Sequence, residues 1–416
     1  MNNGKNIVSD LNILLEKYLS YEQIQEYIGS IALDLLPQQP LELSKTENQL
    51  NKIFNENIQT KKIRLLSDTL ITFVSKKLLK QKYIEFLLEF SRLVLSQGEN
   101  NLSFEIANHV YALVEIQKEY ELYKAHALLL LAEYHISQAI WKAAFSAIKK
   151  ARVIYESNGE SNGIGKCEFL IGSIYVEQGD LKAGKVRLEN CLVYIDQKNE
   201  LLLMAQVEVH FGIINYIEGN MEAAMVWYDK SLRRLEQLND IRRAAEVLLN
   251  KAMIYRKLGQ VDQALKVFNK CCDNATENGF APVLKLCFLN IAEIYLDRKE
   301  LEQAEKYSQK ALELCYYLND KLSIAEVHKI LGKIAKLQNN RYLAENYLLT
   351  SLRLNQELNE ELNAAETDYE LGLLYKDTGK KSEALAHMMN ALKYFNKNNS
   401  KTIALEIESQ MVSLNN

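Results

Sequence analysis

Apolar residues recur along most of this chain with the spacing of amphipathic α-helices. In LLNKAMIYRKLGQVDQAL, residues 248–265, the spacing is interrupted once, at Leu258-Gly259-Gln260, and then resumes. The sequence shows no alternating runs of β-branched and polar residues, which would indicate strands. The pattern therefore predicts an all-α protein whose helices are joined by short turns.

The helical pattern repeats every forty residues without an insertion. Small residues recur seven times in succession at this spacing, at Ala132, Gly172, Gly212, Ala252, Ala292, Gly332 and Gly372. Two further series of small residues share the pitch, one from Ala144 to Ala384 and one from Ala151 to Ala391. Small side chains let helices approach closely, and a single helix pair cannot bury its own apolar face. The repeat therefore predicts an α-solenoid of stacked antiparallel helix pairs.

Composition agrees with a helical, soluble chain. Of the 416 residues 48% are hydrophobic, and only three are proline, namely Pro37, Pro40 and Pro282. Proline disrupts helix interiors, so its scarcity favours helices throughout. The formal net charge of −4 argues against a general nucleic-acid binder, which would be strongly basic.

The cysteines and the N-terminus indicate in which cellular compartment the protein resides. None of the six cysteines has the spacing of a zinc site, and a helical chain of this length needs no disulfides, so we expect reduced, buried thiols. Residues 1–20 lack the features of a signal peptide, and the longest apolar runs are too short to span a bilayer. The sequence therefore predicts a cytoplasmic protein.

Several segments resemble tetratricopeptide repeats, in which Leu-Gly-x-x-Tyr is followed by a glycine turn and then by Ala, an aromatic residue and Ala. They are LIGSIYVEQGDLKAG (170–184), LNIAEIYLDRKELEQA (289–304) and ELGLLYKDTGKKSEALAHMMNAL (370–392). The long repeat is similar to that of kinesin light chains, Leu-Gly-Asn-repeat scaffolds and the bacterial aspartate phosphatase regulators. The resemblance implies a right-handed superhelix with a concave face lined by the first helix of each pair.

The repeats suggest four regions. We expect an N-terminal helical region without repeats (1–79), a degenerate helix pair (80–120), seven repeat units (121–399) and a C-terminal capping helix (400–416). In the N-terminal region, helical segments are predicted at about 5–36, 44–58 and 61–79. The glycine turns and the three peptides LEQLND (235–240), CYYLND (315–320) and NQELNE (355–360) predict left-handed residues at helix ends.

The resemblance also indicates which residues face the groove. It implies that the residue two positions before each small residue of the first series, Ala132 to Gly372, points inward. These residues are Leu130, Leu170, His210, Asn250, Asn290, Ile330 and Glu370. In related scaffolds an asparagine at this site binds the main chain of an extended peptide, and a carboxamide can both donate to and accept from a peptide unit. Asn250, Asn290 and His210 are therefore candidate binding residues. The alternative is that each amide bonds within the protein or faces water.

Charged residues follow at other inward positions. Arg256 and Lys257 come after Asn250, and Glu293 and Asp297 come after Asn290. A basic stripe with helical spacing follows at Lys329, Lys333 and Lys336. A groove of alternating sign favours a partner segment of mixed charge. The alternative for the lysine stripe is a solvated helix face.

The sequence contains no catalytic, phosphate-binding or metal-binding motif, and its six histidines are scattered through helical segments. We therefore expect no enzyme and no cofactor, but a scaffold or adaptor that binds a peptide segment of another protein in the concave groove. The alternative is a peptide-controlled signalling regulator whose N-terminal helices bind a signalling protein. The sequence leaves an oligomer open.

Overall fold

The computed structural model describes residues 7–35, 63–96, 99–277, 279–398 and 400–415, and all regular elements among them are helical. In chain order the α-helices are α1 (Ile7–Tyr18), α2 (Tyr21–Leu35), α3 (Ile63–Lys77), α4 (Lys80–Ser96), α5 (Asn100–Val114), α6 (Glu121–Ser137), α7 (Trp141–Asn158), α8 (Ser161–Glu177), α9 (Leu181–Tyr194), α10 (Leu201–Ile217), α11 (Met221–Gln237), α12 (Ile241–Lys257), α13 (Val261–Glu277), α14 (Ala281–Asp297), α15 (Leu301–Tyr317), α16 (Lys321–Leu337), α17 (Arg341–Glu357), α18 (Glu361–Asp377), α19 (Lys381–Lys397) and α20 (Lys401–Asn415). A single 3₁₀ turn, Lys118–Tyr120, precedes α6. The all-α prediction is confirmed.

The helices form two compact units, with the boundary between Ile241 and Arg242. In the first unit, helices α1 to α5 share an apolar core with α6, and a second core runs from α6 to α10. In the second unit, one core joins α14 to α17 and another joins α16 to α20. Within each unit, helices therefore pack on their neighbours in sequence, as stacked helix pairs require.

Left-handed residues end the helices at a regular spacing. Within the pairs, the glycines at 179, 219, 259 and 379 have positive φ as predicted, and so do Ala139, Lys299 and Asn339. Between pairs, Asn239, Asn319 and Asn359 take the same conformation, which confirms the prediction from the helix-end peptides. At the turn after α12, the Gly259 N–H donates to the Arg256 carbonyl (3.0 Å) and the Gln260 N–H to that of Tyr255 (2.9 Å). These bonds satisfy the last carbonyls of the helix.

The small residues of the repeat lie where the two helices of a pair touch. A Cβ atom added at Gly212 would lie 2.4 Å from the ring of Tyr228 on the next helix, and one added at Gly372 would lie 2.6 Å from Met388. No real carbon atoms approach so closely without a shift. The close helix approach that the sequence predicted is therefore present.

The two ends of the chain follow the sequence predictions in part. The predicted helix over about 5–36 is divided into α1 and α2, because Ser20 and Gln23 form a capping box that starts a new helix. The predicted segment 44–58 lies outside the described residues. The predicted C-terminal helix is α20. None of the described helices is long and apolar enough to cross a membrane.

Candidate functional site

Asn250 lies on α12, the first helix of a pair in the second unit. Its neighbours Leu248, Leu249 and Ala252 are buried, whereas its own side chain is half-buried. Its carboxamide makes no hydrogen bond to any other residue that the structure describes. Asn250 therefore offers one acceptor and two donors that the described part of the fold does not use.

Asn290, on α14, has a different environment. Its carboxamide oxygen accepts a hydrogen bond from Arg256 Nη1 (3.2 Å), and its nitrogen donates to the carbonyl of Leu286 (2.9 Å). The Arg256 guanidinium also pairs with Glu293 (2.5 Å) and lies 3.7 Å from Asp297. The structure therefore brings four candidate residues into one cluster, in which the amide of Asn290 bonds within the protein.

The lysine stripe on α16 is paired with carboxylates. Lys329 Nζ is 2.6 Å from Glu366 on α18 and 2.9 Å from Glu326 on its own helix. Burial lowers the pKa of Lys329, but the two carboxylates outweigh burial and hold the pKa above its ordinary value. The stripe is therefore not an isolated basic face at this position.

The other two lysines of the stripe share one carboxylate. Glu370, on α18, lies 2.7 Å from Lys336 Nζ and 3.4 Å from Lys333 Nζ. Burial raises the pKa of Glu370, but Lys336 and Lys333 more than offset it and hold the pKa below its ordinary value. Glu370 was recognised in the sequence as an inward residue, whereas its role as partner of the stripe was not predicted.

These contacts follow one rule of the repeat. The residue four positions after a small residue of the first series (Ala132 to Gly372) contacts the residue thirty-four positions further along the chain. We call this series the polar ladder; its pairs are Arg256–Asn290 (3.2 Å), Lys336–Glu370 (2.7 Å) and Lys376–Gln410 (2.6 Å). The same two positions between α14 and α16 hold Leu296 and Ile330, which are both buried in one core. In the second unit, the residues at these two positions are thus either both polar or both apolar.

The polar ladder explains Asn290 without a ligand. Glu326 and Glu366 were not predicted as partners of the lysine stripe. The spacing of thirty-four or thirty-seven residues from the lysines is the sequence signal that indicates Glu366 and Glu370. Asn250 has no such explanation among the described contacts. Its carboxamide is therefore available to water or to a bound partner.

His210 and Lys257 take no part in the described contacts of the Arg256 cluster or of the lysine stripe. His210, on α10 of the first unit, has its Nδ1 atom 2.9 Å from the Gln206 carbonyl and its ring edge-on to Phe169 at 5.2 Å. Burial lowers its pKa, with the Gln206 contact acting in the opposite direction. Lys257 is exposed at the end of α12. His210 therefore makes contacts within the core of its own unit.

The site offers hydrogen bonds and charges rather than a metal site. In the described ranges, no group of three or more His, Cys, Asp or Glu side chains is arranged to hold a metal ion. Beside the polar ladder, the side chain of Asp297 is 71% exposed and that of Lys333 is 38% exposed. This surface can orient a polar partner through its main chain and its side-chain charges.

Comparisons with solved structures show the same fold. The quorum sensor NprR from B. thuringiensis, in its apo form, is 19% identical with a TM-score of 0.51, over 84% of this chain and 97% of that chain. A Rap protein complexed with Competence and Sporulation Factor is 17% identical with a TM-score of 0.52, over 85% and 99%. The Rap conjugation gene regulator of the plasmid pLS20, in complex with the Phr* peptide, is 14% identical with a TM-score of 0.52, over 78% and 97%.

Sequence comparison identifies the repeat itself. Two family profiles, both described as tetratricopeptide repeat, match residues 203–277 and residues 287–316 and 365–398. These segments lie at the forty-residue pitch and include both asparagines and part of the polar ladder. No protein of curated function matches the chain. The chain therefore contains tetratricopeptide repeats, as the resemblance of its helix pairs implied.

Proposed function

We propose that this chain is a non-enzymatic interaction scaffold that binds a peptide segment of a partner protein along the first helices of its second unit. The observation that carries the proposal is the half-buried carboxamide of Asn250, which has no hydrogen-bond partner among the described residues. A carboxamide can accept from an N–H and donate to a carbonyl, so it can hold a peptide unit of any sequence.

The neighbouring charges favour a peptide of mixed charge. Asp297 is largely exposed and only distantly paired with Arg256, at 3.7 Å. Lys333 is partly exposed at 3.4 Å from Glu370. Ion pairs of this length are weak and exchange partners at little cost. A bound segment with positive and negative side chains could therefore pair with both without opening the shorter contacts.

Structures of similar fold also support a peptide-binding role. Two of the structures of similar fold are described as peptide complexes, one with Competence and Sporulation Factor and one with the Phr* peptide. Such a fold can accommodate a peptide in those proteins. For this chain the position of the site rests on Asn250 and not on those ligands.

A peptide-display selection tests the proposal. Peptides are selected from a random library on the full chain, and their affinity is measured for Asn250→Ala, Asn290→Ala and the control Asn346→Ala, an exposed asparagine on a second helix. Two hydrogen bonds to a peptide unit contribute about 1–3 kcal/mol, so Asn250→Ala should weaken binding by about fivefold or more. Asn290→Ala should have a smaller effect, because Arg256 and the Leu286 carbonyl already use its amide.

Clear results would contradict this assignment. If selected peptides bind the Asn250→Ala and Asn290→Ala double variant as tightly as the unchanged chain, the first helices of the second unit are not the site. The same conclusion follows if Asn346→Ala weakens binding as much as Asn250→Ala. A library that yields no binding peptide at all would reject the peptide-binding scaffold.

A second candidate function is a signalling regulator that responds to a peptide. It is favoured by the extent of the structural likeness, which covers 84–85% of this chain and thus more than residues 121–399. In a regulator, a selected peptide should change the radius of gyration in solution scattering and alter binding of a second protein to the N-terminal helices. In a static scaffold, the same peptide should leave the scattering curve unchanged.

A further inference from the structure

Helix α20 exposes two large apolar side chains at positions that the repeat units bury. Leu405 and Val412 are 65% and 61% exposed. Forty residues earlier, on α18, the same two positions hold Ala365 and Gly372, which are both buried. Both positions are also buried in each of the six earlier repeat units. The exposure of Leu405 and Val412 is therefore specific to α20.

In a repeat unit, these two positions face the second helix of the pair. Ser231 Oγ on α11 donates a hydrogen bond to the carbonyl of Ala205 on α10 (2.9 Å), and Ala205 corresponds to Leu405. A Cβ atom added at Gly372, which corresponds to Val412, would lie 2.6 Å from a side chain of α19. Helix α20 begins forty residues after α18 and thus takes the place of a first helix. No described helix packs on its corresponding face.

Two charged residues share this face with the apolar ones. Lys401 lies four positions before Leu405 and Glu408 lies three positions after it, so the three residues form one stripe of the helix together with Val412. We call this stripe the outer face. Both charged side chains are exposed, and neither forms an ion pair or a hydrogen bond with another described residue. The outer face thus offers apolar area and two charges that the described fold does not use.

The opposite side of α20 is anchored in the second unit. Ala404, Ile407 and Leu414 are buried in the core that joins α16 to α20. Glu406 accepts a hydrogen bond from the Tyr369 hydroxyl on α18 (2.9 Å). These contacts hold α20 against α18, so the outer face is presented by a helix with a fixed orientation.

The size of the apolar side chains indicates what can cover the outer face. Leucine and valine project further than the alanine and glycine at the same positions of α18, so a helix cannot approach α20 as closely as α19 approaches α18. A fitting partner is a helix that presents a large apolar side chain between two charges of opposite sign. A second copy of α20 has this composition.

The charges favour an antiparallel arrangement of two copies. If two α20 helices cross at Leu405, their Leu405 side chains meet. Lys401 of one copy then lies beside Glu408 of the other, because each is about one turn from the crossing, and a two-fold axis produces this contact twice. A parallel arrangement would place like charges side by side. The outer face is thus complementary to itself in one orientation.

We propose that two copies of this chain associate through their outer faces, with α20 of one copy packed antiparallel on α20 of the other. Because each copy contributes a single helix, the association should be reversible and should depend on concentration. The proposal does not rest on peptide binding, since Asn250 lies on α12 and no residue of the outer face belongs to the candidate peptide site.

Sedimentation equilibrium of the full chain over a range of concentrations tests the proposal. The unchanged chain should approach the mass of a dimer as its concentration rises. Leu405→Lys should remain a monomer, because it places two positive charges at the crossing, and it should fold, because the side chain is exposed. Val153→Lys is the matched control, since Val153 is 58% exposed on α7 in the first unit. This control should associate like the unchanged chain.

Two charge-reversal variants test the antiparallel orientation. Lys401→Glu and Glu408→Lys each bring like charges together twice, so each variant alone should dimerise about tenfold more weakly. An equal mixture of the two variants should associate as strongly as the unchanged chain, because opposite charges face each other again in the mixed dimer. A folding defect in either variant cannot produce this recovery.

Three results would overturn the proposal. The first is a monomer at every concentration, which would leave the outer face to an occupant other than a second copy. The second is a dimer that Leu405→Lys leaves intact, because the interface would then lie elsewhere. The third is a mixture of the two charge variants that associates no better than either variant alone.

Discussion

The polar ladder makes a quantitative prediction at Glu370. Its side chain is 16% exposed, and it accepts a hydrogen bond from Lys336, which is 19% exposed, over 2.7 Å. Glu370→Gln keeps the shape and removes the charge. A charge-assisted hydrogen bond contributes about 1.5–3 kcal/mol, and the longer, more exposed contact with Lys333 adds little. We expect Glu370→Gln to lower the free energy of unfolding by about 2 kcal/mol at neutral pH.

The pH dependence has a definite sign. The pKa of Glu370 in the folded protein lies below the ordinary value of 4.5, since Lys336 and Lys333 outweigh the effect of burial. The unfolded chain therefore takes up the proton at a higher pH than the folded chain. The stabilisation by Glu370 is complete above the unfolded pKa and is lost as the pH falls through the folded pKa. The difference between the unchanged protein and Glu370→Gln should shrink below about pH 4.5.

Urea unfolding followed by circular dichroism measures both effects, at pH 7 and through the acid range. Glu361→Gln is the matched control, because Glu361 pairs with Lys397 at 3.4 Å and the two side chains are 66% and 70% exposed. The control should change stability by at most about 0.5 kcal/mol. If both variants lose the same stability, or if the loss at Glu370 persists unchanged in acid, the polar ladder does not stabilise the fold as argued.

Two further predictions concern the packing and pH response of the first unit. Gly212→Ala should cost about 1–3 kcal/mol in thermal or urea unfolding, because the new Cβ would lie 2.4 Å from the Tyr228 ring. Tyr228→Leu should reduce that cost, and a cost that is the same in both backgrounds would contradict the clash. Burial lowers the pKa of His126 from 6.5 to about 4. The free energy of unfolding should therefore decrease as the pH falls from 6.5 to 4, because the unfolded chain takes up the proton first. His126→Phe should remove that decline, as measured by melting temperature from pH 7 to pH 4, and a retained decline would assign it elsewhere.

The sequence was informative wherever a feature depends on neighbours along the helix. The forty-residue spacing located the helix pairs, and asparagine and glycine marked left-handed turns such as Asn319 and Gly259. Lys299 takes the same conformation without a sequence signal, because lysine has no intrinsic preference for it and the turn imposes it. Local patterns therefore predicted the helices and most of the residues at which they end.

The sequence by itself determined the all-α repeat, because periodicity and small residues are local properties of each helix. Through the resemblance, it also predicted that Asn250 and Asn290 point inward. Only the tertiary structure decided that Asn290 bonds to Arg256 while Asn250 makes no described hydrogen bond. The physical reason is that these partners lie on different helix pairs, more than thirty residues apart. Which side chains meet there depends on how the helices stack, and no pattern within one helix encodes it.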